Sequence, residues 1–364
     1  MTRDLYIDFA KGLATISVIF IHTVFWSGQF YVPSEVRILS LLFDVPLFYA
    51  LSGLTSSGKV EKTLFRLVKL QITFMLFLIL LFVLDYLFKA VGLSLVGRNV
   101  LNEFYSTFGT KYTPQSISSY PQWQNLGNWF LHRYTNADTF PVVMGSFWYL
   151  KVYFILTLLG VLILRFFSKH INWFILFCLG LTLLFHFYPH YYPKGQVGYV
   201  TAYLALFLLA HQIKGKKLST RTVFLMFLGT VLALAWMFLS YGSEIFYQIN
   251  RQKFPPKIPY LIWTLLSISL LFTFYNRLKI NKRSVITFIG ENAIFFYFAQ
   301  GISSSLIYFL VVPLKDHMHW SLLLPLIFII NLVLAYSIAL FLKKWDQWGW
   351  NLLRWLKGRT APNQ

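Results

Sequence analysis

Apolar stretches recur from one end of the chain to the other, and about 20 such residues in a helix suffice to cross roughly 30 Å of hydrocarbon. They lie near Gly12–Trp26, Ile38–Leu54, Val68–Leu87, Phe147–Leu164, Ile171–Phe187, Val197–Ile213, Thr222–Leu239, Tyr260–Phe274, Val285–Val312 and Leu322–Leu342. The pattern predicts an all-α fold, a polytopic transmembrane helix bundle of about ten helices over residues 1–342. Two stretches are not spans. Residues 93–146, with Trp123, Trp129, Pro114 and Pro121, are too long for a simple connection and predict a partly buried lid on the outer side. Residues 343–364 mix Trp345, Trp348, Trp350 and Trp355 with Lys and Arg, the pattern of a cytoplasmic amphipathic helix lying in the headgroup layer. The first apolar run follows Arg3 and Lys11, and no small-residue cleavage site comes after it. It therefore reads as a retained helix and not as a signal peptide.

Composition agrees with a bilayer protein. Of 364 residues, 57% are hydrophobic and only 12% are charged, where a soluble domain carries about a quarter. A formal charge of +20 would suggest nucleic acid as a partner in a soluble chain. Here the cations follow the membrane instead. With the N-terminus inside, most Lys and Arg fall on inner connections such as Lys59–Lys69, Lys214–Arg221 and Arg277–Arg283, and this asymmetry predicts N-in/C-in topology. The charge thus calls for no nucleic acid. Cys178 is the single cysteine, so no intramolecular disulfide exists. The expected location is a cell membrane, crossed many times, the cytoplasmic membrane of a bacterium.

Chemistry has to come from the few polar residues inside the spans, because charge in hydrocarbon is costly. The first span holds Asp8, Lys11 and His22, the second Asp44, and the ninth Glu291, Asn292 and Gln300. Asp85, Lys151 and His186 lie near the ends of others. Lys11 and His22 are eleven residues apart, which returns to within about 20° of one helix face over roughly 16 Å. A lone histidine in an apolar helix is more often structural than catalytic, and the stripe alone does not reverse that. Neither His186/His190 nor His317/His319 has metal-ligand company at suitable spacing, so no metal is expected.

The run from Arg3 to His22, RDLYIDFAKGLATISVIFIH, resembles the first-helix signature of the membrane-bound acyltransferase family 3, whose members O-acylate glycans. Lys11 stands where that family usually has Arg. Asp44 to Leu54 (DVPLFYALSGL) resembles its second-helix segment, Arg66 and Lys69 its basic opening of helix three, and Phe147 to Leu150 (FWYL) the aromatic start of a later helix. Ile289 to Gln300 (IGENAIFFYFAQ) resembles a late-helix motif that closes with His in many relatives. Gln300 in its place argues against a two-histidine mechanism. The likeness covers most of the chain. Some relatives carry a fused extracytoplasmic esterase-like domain; the 22 residues after Leu342 have no room for one.

The resemblance implies an integral membrane O-acyltransferase, with acetyl-coenzyme A as co-substrate and a glycan hydroxyl as acceptor, the glycan free or lipid-linked. Besides membrane lipid, a separate extracytoplasmic acyl-accepting protein is a possible partner. A basic inner mouth suits the polyanionic donor, with Lys11, Arg66 and Lys69 as phosphate ligands; for Arg66 and Lys69, topology alone is an equal explanation. His22 would then act as general base or carry the acyl group covalently. Counting from the span ends puts Asp44 at the depth of His22, where it would orient the imidazole, or else be satisfied by a helix end. Glu291 and Asn292, beside Gly290, read as a helix break lining the donor cavity or as polar glue between helices. A polysaccharide flippase or polymerase, or a transporter of glycan precursors, is the alternative, although none of these explains the Lys11 to His22 signature.

Overall fold

The computed structural model describes residues 4–106, 123–133, 139–193, 195–275 and 277–360. Arg3 lies outside them. Helix α1 (Leu5–Phe25) is followed by α2 (Ser34–Ser40), α3 (Val45–Thr55) and the 36-residue α4 (Val60–Leu95). Short helices α5 (Gly97–Ser106), α6 (Trp123–Phe130) and α7 (Pro141–Ser146) lead to α8 (Trp148–Phe166), α9 (Ile171–Phe187), α10 (Val200–Ile213) and α11 (Thr220–Tyr241). Then come α12 (Glu244–Tyr247), α13 (Ile258–Phe274), α14 (Val285–Glu291), α15 (Ala293–Leu306), α16 (Tyr308–Leu314) and the 41-residue α17 (Trp320–Thr360). Among the described residues there is no β-strand. Among the described residues eight segments are long and apolar enough to cross a membrane, and Val200–Ile213 and Ile258–Phe274 are shorter apolar helices, where about ten spans were expected. An all-helical polytopic bundle follows from the need of every backbone N–H and C=O in hydrocarbon to find a partner within its own segment.

The chain divides into two compact units, one of residues 1–25, 31–66 and 148–293, the other of residues 26–30, 67–147 and 294–364. In the first unit, α1 and α14 touch backbone to backbone. A side chain on Gly12 would collide with the Ile286 carbonyl, and one on Gly290 with the Asp8 carbonyl. Only small residues permit such an approach. Gly53 of α3 meets the Phe207 carbonyl of α10 in the same way. Two expected spans are broken rather than continuous. The second is interrupted at residues 41–44, where Asp44 caps α3 through the Val45 N–H and Pro46 occupies the first turn. The ninth stops at Asn292, whose side-chain amide donates to the Phe288 carbonyl at 2.8 Å, and resumes as α15 and α16.

In the second unit, α4 is roughly 54 Å long at 1.5 Å per residue, well beyond the hydrocarbon thickness. The segment expected to cover the outer rim runs down its side. Trp123 stacks on Phe82 at 4.9 Å, Trp129 is buried with its edge toward Phe82, and His132 stacks on Phe74 at 4.8 Å. His132 Nε2 also lies 2.8 Å from Gln71 Oε1, and Gln71 donates to the Phe130 carbonyl at 3.1 Å. The descent from Phe82 to Gln71 is about 16 Å by helix rise. The chain returns by Thr139, whose N–H bonds to Asp85 at 3.3 Å. Burial of Leu126 and Trp129 holds this re-entrant stretch; Pro114 and Pro121 lie outside the described residues.

The tail also departs from expectation. Residues 343–360 continue α17 without a break, and the stretch from Trp345 to Trp350 packs antiparallel on α4. Trp345 Nε1 donates to the Leu76 carbonyl at 2.8 Å, Thr73 donates to Asp346 at 2.8 Å, and the Lys69 ammonium lies 6.0 Å from the Trp350 ring centre. Gly349 admits the Leu76 side chain. Trp348 and Trp355 remain exposed.

Candidate functional site

Lys11 and His22 both lie on the unbroken α1, half-buried, so the roughly 16 Å between them along one face is set by helix geometry alone. Thr15, on the same stripe, turns its hydroxyl back to the Lys11 carbonyl at 2.8 Å and leaves the helix intact. The Gly12–Gly290 crossing brings together residues that are far apart in sequence: Lys11 precedes one glycine, and Glu291 and Asn292 follow the other. Asn292 terminates α14, and Glu291 makes a 3.5 Å ion pair with the exposed Arg283. Of the two readings, a helix break or polar glue between helices, the helix does break at Asn292.

At the other end of α1, Ile21 and Phe25 flank His22 and pack among Leu41, Met237, Ile245 and Tyr260. The Asp44 carboxylate is taken up by groups other than His22. Its carboxylate accepts from the Val45 N–H at 2.7 Å, from Tyr260 at 2.9 Å and from Lys253, with the shorter Lys253 contact at 2.7 Å. The physical reason is register. Ser17 Oγ donates to the Phe43 carbonyl at 2.8 Å, which places the break at the level of Ser17. His22 is five residues further on, about 7–8 Å along the axis. Depth counted along an uninterrupted helix missed the break.

The Asp44 pair is enclosed by rings. Lys253 reaches inward from the connection between α12 and α13, its ammonium 5.7 Å from the Trp148 ring centre and 5.3 Å from that of Phe254. Tyr203 neighbours Tyr260 and stacks on Tyr49 at 4.5 Å. Asp44 and Lys253 are both nearly inaccessible to solvent, so each neutralises the other's burial.

A basic group gathers where α4 begins. Lys62 and Arg66 are exposed one turn apart, and Lys214, which ends α10, donates to the Ser56 carbonyl. Burial, then the charges of Arg66 and Lys62, push the Lys214 pKa down. Lys69, one turn after Arg66 on α4, belongs to the second unit and to Trp350 there. Among the described residues no three His, Cys, Asp or Glu side chains cluster as metal ligands would.

Lys253, Tyr260 and Lys214 are the site residues that sequence reasoning passed over. Lys253 had a signal: it is a cation in an expected outer connection, against the inner bias, and aromatic and proline residues follow it. Tyr260 and Lys214 had none of their own, since a tyrosine at a span end and a lysine in a basic connection are ordinary.

No curated protein and no solved structure gives a significant match to the chain. The profile of a family described as an acyltransferase domain does, over residues 4–342, from the turn before α1 to the last apolar residues of α17. That covers nearly the whole chain, which belongs to the acyltransferase family 3 of multi-pass membrane acyltransferases.

Proposed function

We propose that this acyltransferase moves an acyl group, acetyl by family likeness, from cytoplasmic acyl-coenzyme A to a hydroxyl of a cell-envelope or exported glycan. The observation that carries this reading is the unbroken α1, with a cation and an imidazole three turns apart on one face and the cation's end pinned by the Gly12–Gly290 crossing. That separation is comparable to an extended pantetheine arm. Phosphates bound at the Lys11 end would leave the thioester near His22. Arg66, with Lys62 and Lys214 beside it, is a further phosphate ligand, the family likeness suggests the same role for Lys69, and Glu291 and Asn292 border the donor path at the break in the ninth span. The acceptor oxygen attacks the thioester carbonyl while His22 takes its proton; the C–S bond then breaks, and the coenzyme A sulfur leaves and recovers a proton. An acyl-histidine route places the same demand on His22. The N-in/C-in orientation puts the donor side in the cytoplasm of a bacterial cell, with the acceptor, free, lipid-linked or passed through a partner protein, on the other side.

His22→Ala tests the assignment. Turnover per folded molecule should fall by about 10²–10⁴-fold, the usual worth of a positioned general base, while coenzyme A affinity is retained. Near-normal turnover in a well-folded variant would sink the mechanism.

A further inference from the structure

Helix α15 carries Gln300, Ser303 and Ser304 within about one turn, all wholly buried in the second unit. The serine hydroxyls are engaged. Ser303 donates to the Gln300 carbonyl at 3.4 Å, and Ser304 accepts from Asn331 of α17 at 3.0 Å. Packing fixes the helix on either side of Gln300: Phe298 stacks on Phe77 of α4 at 4.5 Å, and Gly301 rests against Val143 of α7. The side-chain amide of Gln300 differs from its neighbours, because neither Oε1 nor Nε2 has a hydrogen-bond partner among the described residues.

An amide buried without partners is expensive to maintain, a cost that an apolar side chain of similar size does not carry. Its chemistry limits what would satisfy it. An anion would leave the carbonyl oxygen open, and a cation would leave the NH₂ open. A neutral group that both donates and accepts engages both ends. We propose that Gln300 binds such a group, a hydroxyl or a secondary amide, on a ligand that reaches α15 inside the second unit. The proposal rests on the acyl-transfer reading only for the two sources of that group: a sugar hydroxyl of the acceptor or an amide of the pantetheine arm.

The test is binding by purified full-length protein in detergent, with pantetheine and methyl β-glucoside as probes, to wild type, Gln300→Met and Gln300→His. At least one probe should bind wild type and bind Gln300→Met roughly tenfold or more weakly, as expected for loss of a buried hydrogen-bonded contact. Gln300→His, which keeps a donor and an acceptor, should retain most of the affinity. Loss confined to pantetheine assigns the donor arm; loss confined to the glucoside assigns the acceptor. The melting temperature of unliganded Gln300→Met should equal or exceed that of wild type, since the change removes only an unpartnered amide. Wild type binding neither probe, Gln300→Met binding both as wild type does, or Gln300→Met losing its fold would each overturn the proposal. Acyl transfer plays no part in this readout, so failure of the reaction assignment and failure of the Gln300 role are told apart.

Discussion

The Asp44 carboxylate and the Lys253 ammonium, 209 residues apart in sequence, meet at 2.7 Å with almost no solvent access. The pair ties the connection between α12 and α13 to the break in the second span, one layer below the histidine end of α1. Removing one partner strands the other charge. Lys253→Met is expected to cost about 3–5 kcal/mol, and the double change Asp44→Asn with Lys253→Met to recover much of it. Melting temperatures of the two variants check this; Lys253→Met as stable as wild type would show that the pair contributes nothing.

Gly290→Ala should drive α14 away from α1, because the added methyl meets the backbone carbonyl of Asp8 and no flexible side chain can yield there. Overpacking of this kind costs about 1–3 kcal/mol. The separation should also weaken coenzyme A binding, since Lys11 and Glu291 lie beside the crossing. Gly229→Ala, at a position on α11 with open space around it, is the control that should change neither property.

Lys214, outside the membrane-spanning part of α10, has a pKa lowered first by burial and then by Arg66 and Lys62. The unfolded chain therefore holds that proton more tightly, and stability should rise with pH between the lowered value and the ordinary lysine range. A bound polyanion reverses the repulsion and draws the proton back. Coenzyme A affinity should accordingly fall as pH climbs through that window. Lys62→Gln should raise the melting temperature of the unliganded protein yet weaken coenzyme A binding, and unchanged affinity would return Lys62 to a purely topological role.

The tail offers a comparison within one helix. Trp345 and Asp346 bond to α4, whereas Trp348 and Trp355 are exposed. Asp346→Ala, which deletes a buried hydrogen bond, should destabilise by about 1–3 kcal/mol, and Trp345→Phe, which deletes a part-buried one, by about 0.5–1.5 kcal/mol. Trp348→Ala and Trp355→Ala should act less on stability in detergent. The opposite order would favour a tail that anchors in headgroups and does not dock on α4.

Run length and hydropathy along the chain determined the class of this protein, an all-α polytopic bundle, because an apolar stretch in hydrocarbon has only its own helix to satisfy its backbone. The Lys11–His22 stripe was equally legible, since it depends on the period of one helix and on no other element. The break at Glu291–Asn292 was visible in the polar residues beside a glycine, and the Asp-Val-Pro start of α3 carried a cap signal that span counting overrode. Tertiary structure alone decided that Asp44 pairs with Lys253, that the stretch around Trp129 and His132 descends along α4, and that residues beyond 342 dock on the same helix. A buried polar group takes whichever partner the helix crossings deliver. Those crossings are set by contacts such as Gly12 with Ile286 and Gly290 with Asp8, which join segments hundreds of residues apart and leave no periodic trace in either one.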